Sequence, residues 1–204
     1  MPARGHDIYY HQDFDEMNQD VLSAAGHATG LVATLLLTAT VVLGAMHSGR
    51  ASSASWPRFA LHAVHRNMSL LALTFVLGHV VIATKAHSEL TWLNAVLPYS
   101  SAPHPFWLGT GAVALDLMFA AIITSVLRVR IGLPSWRIVH VVAYASWPLA
   151  LAHGLGIGVA DRRISWVLAV YIGCVVAVAA AITHRLLAAD PDRDARRAAQ
   201  AGQR

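Results

Sequence analysis

Apolar residues gather along this chain into five runs separated by short polar breaks. The runs extend from about Ala28 to Met46, from Pro57 to Thr84, from Phe106 to Leu127, from Pro134 through His153, and from Ile164 to Leu187. Each is close to the roughly 20 residues that carry a helix across the hydrocarbon of a bilayer. The pattern predicts an all-α integral membrane bundle of five transmembrane helices over residues 28–187, with polar tails at 1–27 and 188–204. Ser55 before Trp56-Pro57 reads as a helix cap with proline in the first turn. Gly26 and Gly30 form a small-xxx-small pair suited to close helix contact. Between the second and third runs, Trp92 and Tyr99 mark an interfacial loop lying over one end of the bundle. The acidic first 27 residues are expected to be a solvated mobile tail and lack the basic start of a secretory signal, so the first span is expected to be retained.

Composition agrees with the pattern. Of 204 residues, 56% are hydrophobic and only 13% charged, which excludes an ordinary soluble domain and leaves no room for a nucleotide-binding domain. The formal charge of +4 comes almost wholly from arginines flanking the apolar runs, Lys85 being the only lysine, so membrane topology explains it and nucleic acid is not an expected partner. Arg50, Arg58, Arg128, Arg130, Arg137 and Arg185 fall on one side of a five-span chain; Lys85, Arg162 and Arg163 on the other are offset by Glu89, Asp161 and the acidic tail. This asymmetry predicts a multi-pass plasma-membrane protein with the N-terminus outside and the C-terminus inside. Cys174 is the single cysteine, so an intrachain disulfide, a covalent haem attachment and a cysteine-held cluster are all excluded.

The candidate chemistry lies in four intramembrane histidines, His65 with His79 and His140 with His153. Neutral imidazole is a good axial ligand for haem iron, and helices carrying two each can clamp two stacked haems. On the second helix, 79 − 65 = 14 residues leave the two rings roughly 40° apart, on one face. On the fourth, 153 − 140 = 13 residues leave them roughly 140° out of phase on a straight helix, so ligation there requires rewinding, for which Pro148 is the obvious cause. Arg66 and Arg137 are placed to meet haem propionates, although their role as topology determinants is equally supported. Tyr144, one turn beyond His140, is placed to pack against haem or simply within the bundle. His62 lies on another face, and His47, His87, His104 and His184 fall at span ends or in loops. Asp116, within the third span, is costly there. It is expected to orient a ligand imidazole, to carry protons, or to hydrogen-bond another helix.

At these residues the chain resembles the ferric reductase-like transmembrane domain, the haem-bearing core of NADPH oxidases, ferric reductases and the haem subunit of the bacterial methionine sulfoxide reductase. The resemblance rests on His65-Arg66 through Gly78-His79 and on Trp136-Arg-Ile-Val-His140 and Tyr144 through His153, and it covers roughly residues 30–187. It implies two non-covalent b-type haems, His65 pairing with His140 and His79 with His153. Many members have six spans, and this sequence shows five. NADPH oxidases add FAD and NADPH domains, whereas these 204 residues contain no Gly-rich dinucleotide motif, so any flavin is expected on a partner. The resemblance therefore implies an electron-transport oxidoreductase component in membrane lipid, taking electrons from a flavoprotein reductase or quinol. It would pass them to a ferric complex, dioxygen or a redox protein, or serve as the haem subunit of a methionine sulfoxide reductase-type system. The rival from the residues alone is a histidine-dependent metal or proton transporter or sensor, which predicts the histidines meeting at one site.

Overall fold

A computed structural model describes residues 4–48, 58–100, 104–158 and 165–188. The expected cap at Ser55-Trp56-Pro57, Arg50, Arg162, Arg163 and the C-terminal tail lie outside the described residues. The described residues are helical without strands, and five helices are long and apolar enough to cross a membrane: 17–46, 59–86, 105–126, 133–157 and 166–187. In chain order they comprise α1 (Arg4–Ser48), α2 (Arg58–Ala86), the short α3 (Trp92–Val96), α4 (Pro105–Val126), the single turn α5 (Arg128–Ile131), α6 (Leu133–Val142), a 3₁₀ turn (Ala143–Ala145), α7 (Ser146–Ile157) and α8 (Ser165–Ala188). Exposed Leu70, Leu77, Ile123, Val176 and Ile182 give the helices the apolar exterior that lipid requires.

The stretch expected as a polar tail is helical from Arg4 onward, continuous with the first span. Adding a residue to an existing helix costs far less than nucleating one, so the apolar span extends into polar sequence that would not form a helix alone.

The chain divides into two units by internal packing. One comprises residues 1–34 and 73–159; the other comprises 35–72 and 160–204. In the first, α4 packs mainly on α7, with further contacts to α3 and α6. Its buried side includes Gly109, Thr110, Ala112, Ala114, Leu115 and Met118, mostly small residues that let backbones approach without a hydrophobic drive from lipid. Gly26 faces Ile82 of α2 across the 3.6 Å at which a Cβ would touch it, the close contact its small-xxx-small pattern predicts. In the second unit, Leu37, Val41, Ala45, Leu61, Cys174 and Val178 are buried.

Hydroxyls within the spans are satisfied locally. Thr34 donates to the carbonyl of Gly30, Thr40 to Leu36, Ser69 to His65 and Thr84 to Val80, in each case four residues back. Gly132, at φ 80°, makes the turn between α5 and α6 in a backbone region that side chains disfavour.

The fourth span is interrupted where the histidine spacing requires it. Pro148 has no N–H to give the carbonyl of Tyr144 and its ring crowds that carbonyl, and the chain tightens into the 3₁₀ turn at Ala143–Ala145 immediately before α7. Three residues at about 120° instead of about 100° recover roughly 60° of the roughly 140° separating His140 from His153 on a straight helix.

Candidate functional site

His79 and His153 meet within the first unit. Their ring centres lie 6.1 Å apart and their planes are inclined by 82°. Each ring is tethered by Nδ1 to a main-chain carbonyl of another helix, His79 to Gly26 on α1 at 2.8 Å and His153 to Trp107 on α4 at 2.9 Å. A carbonyl only accepts, so each Nδ1 is the protonated nitrogen and each Nε2 keeps its lone pair. This is the tautomer a metal-ligating imidazole needs, held by the kind of partner that usually fixes one.

The two tethers share a local design. The carbonyl of Gly26 also accepts from Thr29 Oγ1 at 3.0 Å, and that of Trp107 from Thr110 Oγ1 at 2.7 Å. One residue beyond each threonine is a glycine against the ring. A Cβ on Gly30 would lie 3.1 Å from the His79 ring, and one on Gly111 would lie 2.7 Å from the His153 ring. The segments Gly26-His-Ala-Thr-Gly30 and Trp107-Leu-Gly-Thr-Gly111 thus each supply a carbonyl, a hydroxyl and a bare backbone at the same offsets. Further support comes from Gly156, which leaves space for the Trp107 ring, and Gly109, which does so for Tyr99.

An imidazole nitrogen sits about 2 Å from a first-row metal it ligates, with its ring centre roughly 1 Å behind, so two rings across one metal have centres about 6 Å apart. The observed 6.1 Å is of that length, which is also that of ordinary edge-on ring packing. Two neutral imidazoles on glycine-lined backbone in apolar surroundings fit a bis-histidine haem.

In the second unit, His65 is tethered likewise, its Nδ1 donating to the carbonyl of Thr40 at 3.1 Å. The acceptors Thr40 and Gly26 are 40 − 26 = 14 residues apart on α1, the same interval as His65 and His79 on α2.

His140 is held differently. Its ring stacks on Trp136 at 4.8 Å and 26°, and Tyr144 meets it edge-on at 6.2 Å. The Arg128 guanidinium covers the Trp136 ring at 4.7 Å, and the indole N–H donates to Ser125 Oγ at 3.1 Å. Tyr144 therefore touches the candidate ligand itself. Arg66 and Arg137 are exposed, as are His62, His87, His104 and His184.

Asp116 is exposed, and among the described residues it has neither a hydrogen bond nor an ion pair. The main chain at Gly26 and Trp107 orients the His79 and His153 rings. Those positions, with Thr29, Gly30, Thr110 and Gly111, escaped the sequence reading apart from the Gly26 and Gly30 spacing. The twice-used Thr-Gly step facing a span histidine was the available signal.

Fold and site together define a polytopic helical membrane protein that presents paired imidazoles. The family model for the ferric reductase like transmembrane component matches residues 29–151, which is 151 − 29 + 1 = 123 of the 204, and the chain belongs to that family. The match includes His65, His79 and His140 and ends two residues before His153. No curated protein and no solved structure matches the chain. Ferric reductase-like domains are generally haem-binding, support membrane electron transfer and work with redox partners.

Proposed function

We propose that this chain is a di-haem b electron-transfer protein of the plasma membrane, with His79 and His153 ligating one haem and His65 and His140 the other. The observation that carries the reading is the His79–His153 pair, 6.1 Å between ring centres with both Nδ1 atoms committed to carbonyls. When bound, each haem supplies a one-electron couple whose doubly ligated iron favours electron transfer over oxygen binding. The chain's own carbonyls fix the tautomers of His65, His79 and His153, glycine backbone lies against the rings of His79 and His153, and Trp136 stacks on His140. Arg66 and Arg137 would meet the propionates of a bound haem, and Tyr144 packs against the inner ligand.

With the N-terminus outside and the C-terminus inside, His65 and His140 face the cytoplasm. Electrons enter there from a separate flavoprotein reductase or quinol. They leave beside His79 and His153 to a ferric complex, dioxygen or a redox protein. Exposed Arg128, Arg130 and Arg137 on the donor side support this orientation. The transporter reading is less well supported, because among the described residues no three His, Cys, Asp or Glu side chains converge.

Full-length protein purified after expression with ample haem should show a b-type spectrum that sharpens on dithionite reduction. Redox titration should then resolve two components, with His79→Ala and His153→Ala removing one, and His65→Ala and His140→Ala the other. A colourless protein, or loss of the same component in His65→Ala and His79→Ala, overturns the assignment.

A further inference from the structure

Helix α4 has a second face that the haem reading leaves unused. Val113, Asp116, Ala120 and Ile123, with Leu127 just past the helix end, follow at alternating intervals of three and four residues, the repeat that lays side chains along one seam of a helix. Asp116 is exposed, Ile123 is 53% exposed, Leu127 is 37% exposed, and Val113 and Ala120 are partly so. The seam starts one turn beyond Gly109, which the Tyr99 ring covers.

Its one polar member sits at the worst depth for a carboxyl. Asp116 lies eleven residues from Pro105 and ten from Val126, so either end of the span is roughly 15 Å away. Its side chain, one methylene long, cannot snorkel that distance, and the chain itself gives it no hydrogen bond or ion pair among the described residues. A mid-span carboxyl flanked by apolar residues at heptad spacing is the pattern of a helix–helix seam whose polar position sets register.

We propose that this seam docks a separate membrane-spanning subunit, whose helix places a lysine or arginine beside Asp116 near the bilayer centre. Charge complementarity selects that occupant. A second copy meeting through the same seam would set Asp116 against Asp116. Among the described spans, Lys85, Arg137 and Arg185 stand near span ends, far from the depth of Asp116. The inference stands whether or not haem is present.

The test is photocrosslinking in native-host membranes, with p-benzoylphenylalanine at Ile123 of the full-length protein. The expected product is one adduct with an integral membrane protein whose sequence carries a lysine or arginine within a span. It should persist in Asp116→Glu and disappear in Asp116→Leu. Ala120→Phe, which blocks the seam sterically and leaves the carboxyl in place, should also abolish it. Crosslinks to lipid alone, an adduct with a second copy of this chain, or an adduct unchanged by Asp116→Leu and Ala120→Phe would overturn the proposal.

Discussion

His140 and His153 share one interrupted span, thirteen residues apart, and are positioned by different parts of the polypeptide. The ring of His153 is tied to the main chain of α4 through the Trp107 carbonyl and faces the bare backbone of Gly111. The ring of His140 lies in a pile of side chains, with Trp136 on its face, Arg128 beyond that and Tyr144 at its edge. Backbone anchoring tolerates most substitutions and fails where a side chain is added to glycine. Aromatic anchoring is adjustable, since each layer can be exchanged. The first suits a ligand whose geometry must stay constant, the second one whose electronic surroundings can be tuned.

The largest expected break in that comparison comes from Gly111→Ala. The added Cβ would sit 2.7 Å from the His153 ring, so the ring must move away, and on the proposed di-haem assignment reduced b-type absorbance should fall by roughly half as one of the two proposed haems is lost. Gly30→Ala, at 3.1 Å from His79, should weaken the same haem less, and Gly78→Ala, with nothing within 4 Å, should leave the spectrum unchanged. Pro148→Ala comes next. With the missing N–H restored, the 3₁₀ turn should relax to α-helix and turn His153 by roughly 60° relative to His140. Its haem content should drop although the helix itself becomes more regular by circular dichroism.

Smaller effects should appear on the aromatic side. Trp136→Leu should retain both haems and shift the potential of the His140-ligated one by about 1 kcal/mol, roughly 40 mV for a one-electron couple. Arg128→Gln removes a positive charge that favours the reduced state, so the same potential should fall while that of the His79–His153 haem stays fixed in redox titration. Smallest of all, Thr110→Val or Thr29→Val frees the carbonyl for a stronger bond to its imidazole. The potential of the His79–His153 haem should fall by roughly 20 mV, and an unchanged value would show the shared hydroxyl to be incidental.

The five spans were legible because a helix in lipid must be apolar over its whole length, and the His65–His79 spacing because a straight helix repeats predictably. The break before Pro148 was legible for the same reason, since 13 residues do not close on an α-helix. Main-chain acceptors were not: Gly26 and Trp107 act through carbonyls that every residue carries, so residue type leaves no trace of the role. The outward direction of Asp116 depends on how α4 is rotated against α7, which small buried residues such as Ala112 and Ala114 set only once both helices are packed. The helical start at Arg4 was missed because polar composition argues against a helix on its own and says little about one already nucleated.

The 82° between the His79 and His153 planes has a magnetic consequence. Crossed imidazoles divide their π-donation between two iron d orbitals and leave them nearly equal in energy, whereas parallel rings single one out. Were a ferric haem iron held between them, its anisotropy should concentrate along one axis and give a single strong low-field paramagnetic resonance line. That line reports on the crossing angle of two side chains set by the carbonyls of two different helices.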